Sequence, residues 1–121
     1  MKRTLSKLSK NKFGELVVGI AFGKFSKALP VKRIKETKKA IAFWHPKPSY
    51  HIHILVVPKK QIKNFSSIKE TDFKYTLEVF KLANEIISDM RLKDTNYSLV
   101  INGGDKQEVK QLHLHIISDI K

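Results

Sequence analysis

Four of the five histidines in this chain stand in two alternating pairs, His51-Ile52-His53 and His113-Leu114-His115. Both pairs sit in aliphatic runs that suit β-strands, where every second side chain points to the same face. His113 and His115 then share a face with Gln111, while Leu112, Leu114 and Ile116 turn to the core. His51 and His53 likewise share a face with Leu55 and Val57. A buried imidazole needs hydrogen-bond partners, so two such pairs are an awkward choice for packing alone. Three uses are open. A neutral imidazole can attack phosphorus while a neighbour fixes its tautomer. The two pairs can supply three or four nitrogen ligands to a zinc or iron ion. They can also simply bond backbone carbonyls at a sheet surface. Neither strand carries a carboxylate and no spacing is diagnostic of a metal, so the expectation is a site without one.

The elements that must hold these residues follow from periodicity and turn residues. Residues 1–12 are polar and basic and read as a flexible arm, leaving one domain over 13–121. Ile20, Phe22, Phe25 and Leu29 recur at helical spacing before Pro30, which predicts a short helix. Strands are expected at 33–37, 40–44, 52–57, 97–101 and 112–117, with Pro46 and Pro48 forcing a loop before the third. Ser67 and Glu70 have capping-box spacing, and behind them Phe73, Leu77, Phe80, Ala83, Ile87 and Met90 trace the expected core stripe of a long helix. Val79, Leu82 and Ile86 flank that stripe, giving more apolar surface than one small sheet covers and predicting a two-fold homodimer. The expected fold class is α+β: a five-stranded, largely antiparallel sheet with one long and one short helix.

Composition narrows the partners. With 121 residues and 41% hydrophobic content the chain can bury a single core. It has no cysteine, so disulfides and thiolate metal sites are excluded. The apolar run from Leu16 to Phe22 is too short to span a bilayer and lacks a cleavage site behind it, so the expectations are no membrane partner, no signal peptide and a cytoplasmic location. The formal net charge of +13 attracts polyanions, and nucleic acid is an alternative partner beside a small nucleotide. The same charge, spread along the chain, equally describes a solvated basic surface.

The segment Gln111-Leu112-His113-Leu114-His115-Ile116-Ile117 resembles the histidine-triad signature, in which histidines alternate with hydrophobic residues. Phe22-Gly23-Lys24, Ala42-Phe43, His53 through Lys60 and Val100-Ile101-Asn102 are similar in order and spacing to the histidine-triad nucleotide-binding branch. The resemblance implies a hydrolase or transferase acting on the α-phosphate of a nucleoside phosphoramidate, adenylate or dinucleotide. It implies His113 as nucleophile, a nucleotidyl-histidine intermediate, His115 and His53 in support, and no cofactor. It places Asn102 and Gln107 near ribose and phosphate, Phe22 and Phe43 beside a purine base, and a homodimer through the long helix and a sheet edge. For Phe43, ordinary core packing is an equal expectation.

Departures from the pattern carry their own expectations. Gln111 stands where the first histidine would be; an amide can donate a hydrogen bond but cannot deliver a proton. A preference for phosphate or nucleotide leaving groups over alkylamines follows, or else a catalytically weakened binding module. His45 replaces an Asp that holds ribose hydroxyls, Glu108 replaces a serine, and the loop from Gly103 to Lys106 is shorter. With Lys121 just past the motif, a C-terminal tail that contributes to substrate choice elsewhere is expected to be missing.

Overall fold

The computed structural model describes residues 10–21 and 31–119. Five strands form one sheet: β1 (Arg33–Glu36), β2 (Ala40–Trp44), β3 (Ile52–Pro58), β4 (Ser98–Val100) and β5 (Leu114–Ser118). The strand order is β1-β2-β3-β5-β4, and every neighbouring pair is antiparallel. Helix α1 (Lys10–Ala21) and the longer α2 (Phe73–Asp89) complete the expected α+β architecture. No described helix is long and apolar enough to cross a membrane.

The central strands are apolar on both faces, and each face meets a different helix. Ala40 and Ala42 of β2, with Ile54, Val56, Leu114 and Ile116, pack against Val79, Leu82, Ala83 and Ile86 of α2. Two alanines on this face let the helix approach closely. Ile41, Phe43, Leu55 and Val57 face the other way and pack against Leu16, Val17 and Ile20 of α1. The histidine face of β3 and β5 is therefore the α1 side of the sheet.

Two local expectations change. The first helix starts at Lys10, inside the stretch read as a basic arm. Phe13, Leu16, Val17 and Ile20 fall three and four apart and give it a buried stripe. The expected helix over 20–29 lies outside the described residues beyond Ala21, as do residues 1–9 of the arm. Ser67 does not cap α2; its hydroxyl donates to Asn64 Oδ1, and two 3₁₀ turns, Phe65–Ser67 and Glu70–Asp72, precede the helix. Asp72 instead closes the entry, accepting the Lys69 N–H at 3.0 Å and pairing with the Lys60 ammonium.

The buried face of α2 draws on both rows: Ala83 and Ile87 of the expected stripe are buried together with the flanking row, while the N-terminal half of the expected stripe is not. Val79, Leu82 and Ile86 are buried, whereas Phe73, Leu77 and Phe80 remain exposed at 58%, 69% and 53%. The alanines of β2 fix this rotation, because the branched side chains of the second row fill the shallow surface they leave. Leu82→Ala should accordingly cost about 2–5 kcal/mol in urea denaturation. Leu77→Ala, in dilute protein, should change stability by no more than about 0.5 kcal/mol. Comparable losses in both variants would contradict this orientation of the helix.

Candidate active site

The register of β3 against β5 brings the two histidine-bearing segments together. His53 lies opposite Ile117 and Leu55 opposite His115, so His53 and His115 are diagonal neighbours on one face. His53 Nε2 and His115 Nδ1 are 2.9 Å apart. His113 precedes β5 and stands beside His115, with ring centroids 5.0 Å apart. His45 enters from the end of β2. Its ring lies 4.3 Å from that of His53 and stacks on Phe13 of α1 at 4.9 Å. His51, by contrast, precedes β3 and is exposed, so the pair partner of His53 in sequence is not its partner in space.

Backbone groups fix the tautomer of each imidazole. The Ser49 N–H donates to His53 Nδ1 at 3.1 Å, so the His53 proton sits on Nε2. That proton is donated to His115 Nδ1, which leaves His115 carrying its own on Nε2. The His115 Nε2–H is buried and has no partner among the described residues. His45 Nδ1 accepts the Lys47 N–H at 3.0 Å, so His45 is also an Nε2–H tautomer. His113 is the opposite case. Its Nδ1 lies 2.7 Å from the Gln111 carbonyl oxygen, which can only accept. His113 therefore keeps its proton on Nδ1 and a lone pair on Nε2, as a nucleophile requires.

The loop between β2 and β3 makes this arrangement possible. Pro46 and Pro48 break the strand pattern, and the His45 N–H donates to the His53 carbonyl at 2.8 Å, closing the loop at its base. The amides of Lys47 and Ser49 then point at ring nitrogens instead of at another strand.

Burial holds all four rings neutral. Loss of solvation lowers the His45 pKa to about 3, with the neighbouring imidazoles adding to the effect, and the His115 pKa to about 4 for the same reasons. His53 and His113 are lowered by burial as well, although the Gln111 carbonyl partly offsets this for His113.

The rings line a cleft of about 450 Å³ whose walls also include Phe13, Tyr50, Asn102, Lys106, Gln107 and Glu108. Of the expected site residues, His113, His115, His53, His45, Asn102 and Gln107 meet here. Phe22 lies outside the described residues. Phe43 is fully buried in the α1-side core, the packing alternative expected for it, and does not reach the cleft. Gln111 is the main correction. Its side chain is 1% exposed and turned away from the cleft: Oε1 accepts the Ile62 N–H at 3.1 Å and Nε2 donates to the Lys60 carbonyl at 2.9 Å. An amide buried in this way is not on the cleft wall and does not reach a phosphate there, which removes the physical basis for the expected leaving-group preference. Gln107 is similarly committed, donating to the Lys63 and Val109 carbonyls at 2.8 and 2.9 Å. Phe13 and Tyr50 were not singled out from sequence. The helical spacing from Phe13 was the available signal for the first; Tyr50, edge-on to His53 at 5.5 Å, offered none. Among the described residues no group of three or more His, Asp or Glu is placed to hold a metal ion.

Comparison with known proteins converges on one family. The HIT domain family matches residues 26–121. A HIT-like protein of Helicobacter pylori strain 26695 is 32% identical over 96 residues, spanning 77% of this chain and 88% of the relative. A HIT-like protein of Buchnera aphidicola is 29% identical over 94% of this chain and 96% of its own length. Among solved structures, a HIT family hydrolase from Legionella pneumophila superposes with a TM-score of 0.74 at 26% identity, covering 86% of this chain and 91% of that one. A histidine triad protein from Clostridium difficile gives 0.73 at 29% identity, covering 86% and 89%.

Two readouts test the imidazole arrangement. Long-range proton–nitrogen NMR at pH 7 should show His113 as the Nδ1–H tautomer and His45, His53 and His115 as Nε2–H; a charged or inverted His115 would contradict the chain of bonds. Stability supplies the second. Above pH 6.5 these rings are neutral folded and unfolded, and contribute no pH dependence. Below it the unfolded chain binds protons that the folded rings refuse, so stability falls as pH drops toward about 3. His45→Gln should shrink the difference between urea midpoints at pH 7.5 and 4.5, and an unchanged difference would argue against a neutral His45.

Proposed function

Because this chain belongs to the HIT domain family, we propose that it is a nucleotide-binding hydrolase or transferase that attacks the α-phosphate of a nucleotide conjugate through His113. The observation that carries this reading is the tautomer of His113, with Nδ1–H held by the Gln111 carbonyl and the Nε2 lone pair left for bonding. The Nε2 lone pair forms a bond to phosphorus, and the bond from phosphorus to the leaving atom breaks with its electron pair going to that atom. Water then adds to phosphorus and expels the imidazole, so one water is consumed per turnover. The His115 Nε2–H, oriented through His53 by the Ser49 amide, donates a hydrogen bond to the charge that develops. Hydrolase character is also supported by the likeness to the Legionella enzyme.

A cleft of this volume suits a mononucleotide. Phe13 and Tyr50 offer aromatic faces to a base and Asn102 hydrogen bonds to ribose, whereas a strand of nucleic acid would need a longer basic track. We take the binding module as the lesser reading for that reason.

The exposed row Phe73, Leu77 and Phe80, continued by Phe65, supports assembly as a homodimer. Phe65, Phe73 and Phe80 border an apolar groove of about 370 Å³ that runs to Leu112 and His113.

His113→Ala should lower hydrolysis of an adenosine phosphoramidate by several orders of magnitude while leaving the fold intact. Equal turnover by both proteins would remove His113 from this role. Gln111→Ala should instead reduce stability by about 1–3 kcal/mol, because it strands the Ile62 N–H and Lys60 carbonyl. In sedimentation at micromolar concentration the chain should run at twice its 14.0 kDa mass, and Phe80→Lys should return it to monomer. A wild-type monomer would refute the dimer.

A further inference from the structure

Over residues 31–119 positive charge is segregated in sequence. Residues 31–69 hold ten Lys and Arg against one carboxylate, Glu36, whereas residues 70–119 hold six against nine. Folding gathers part of the excess at one end of the sheet. Ala40 pairs with Pro58, and the Lys59 N–H donates to the Lys39 carbonyl at 2.7 Å, so the Lys38-Lys39 turn lies against Lys59 and Lys60. Lys60, Lys63 and Lys69 stand on the wall of a depression of about 530 Å³ formed by the segment that follows. The Lys60 and Lys74 ammonium groups approach the same Tyr75 ring, at 5.7 and 5.8 Å, which extends the row to the first turn of α2.

Pairing within the chain does not cancel this charge. Glu36 holds Lys59, and the buried Asp72 holds Lys60. Asp72 is the one carboxylate on the wall of the depression against three ammonium groups; Glu70 follows Lys69 in sequence but is not part of that wall. Lys38, Lys39, Lys63 and Lys69 form no salt bridge among the described residues. Like charges gathered this way repel one another, a cost that a bound polyanion relieves. The depression shares no residue with the histidine cleft.

We propose that this end of the sheet is a docking surface for a single strand of nucleic acid, held through its phosphodiester backbone by Lys38, Lys39, Lys60, Lys63 and Lys69. It is the longer basic track that the cleft lacks, and it stands independently of the role of His113. Lysines act on phosphate as point charges on flexible stems, so the contact is indifferent to base sequence. A concavity of this size admits a nucleotide unit of a flexible strand but not the width of a rigid duplex. An anionic bilayer is flat, and lysines on a concave wall cannot lie against it together.

Fluorescence anisotropy with labelled oligouridine and oligodeoxythymidine of about a dozen nucleotides tests this, a length within the span of one such site. Both strands should bind, and the log–log slope of affinity against salt should be about 3 to 4, at about 0.7 per phosphate neutralised. Lys38→Gln, Lys39→Gln, Lys63→Gln and Lys69→Gln combined should weaken binding by about tenfold or more at low salt and flatten the slope to about 1. Removing as many exposed lysines elsewhere, by Lys32→Gln, Lys47→Gln, Lys81→Gln and Lys93→Gln, should weaken it by less than about threefold. Lys106→Gln, in the cleft, should leave it within about twofold. Urea midpoints report whether each variant is folded, and Lys63→Glu alone, at an exposed position, should still raise the dissociation constant if the first set is not. Four results would each overturn the proposal: no binding at low salt, equal losses in the two quadruple variants, a loss on Lys106→Gln as large as that of the first set, or equal affinity for polyglutamate or phosphatidylserine vesicles.

Discussion

Everything at the site depends on one constraint: a neutral imidazole has one donor and one acceptor nitrogen, and the backbone decides which is which. The Gln111 carbonyl takes the proton-bearing nitrogen of His113 and leaves a lone pair outward. The Ser49 amide takes the acceptor nitrogen of His53, and the choice passes through a 2.9 Å contact to His115, which is left with its proton on the buried Nε2. Two rings two residues apart are thereby given opposite characters, one with a free lone pair on Nε2 and the other with an N–H there. Main-chain atoms impose this because they cannot change their donor or acceptor identity with pH.

That constraint is met only if β3 and β5 are held in register and the β2–β3 loop is held against them. A one-residue slip of β5 would send His115 to the α2 side, where Leu114 and Ile116 now lie. The apolar content of both faces prevents it, since Leu55 and Val57 have their own partners in α1 and Ile54 and Val56 theirs in α2. The neutral rings carry a cost. Burying four titratable groups without charge makes the fold sensitive to acid, which is the stability side of the same chemistry.

Much of this was legible in the sequence. The strands and the single sheet follow from period-two alternation, and the joining of His53 with His113 and His115 was implied by the histidine-triad resemblance. The rotation of α2 followed only in part, because its apolar surface spans two adjacent rows and the core takes Ala83 and Ile87 from the expected one and Val79, Leu82 and Ile86 from the other, over a sheet floored by Ala40 and Ala42. His45 carried a similar ambiguity: the residue before a proline-broken loop can point anywhere until the loop is closed. Phe43 shows the reverse limit, since an aromatic beside a site reads as a ligand contact until its burial is known.

Gln111 makes the general point about motif positions. Its spacing from His113 suggests membership in a row of catalytic side chains, but β5 begins only at Leu114. Before that point the chain is not extended in a ladder and alternation does not hold. Gln111 can therefore send its side chain into the 60–62 segment while its carbonyl serves His113. A side chain with one donor end and one acceptor end, buried beside a loop that offers one carbonyl and one amide, is well matched to that task. An imidazole in one tautomer could satisfy the same two groups only if its ring nitrogens reached both. In this chain the side chain at the position bridges two backbone groups and lies off the cleft wall. The imidazoles of His113 and His115 line the cleft, and the residue that precedes them meets His113 through its main chain.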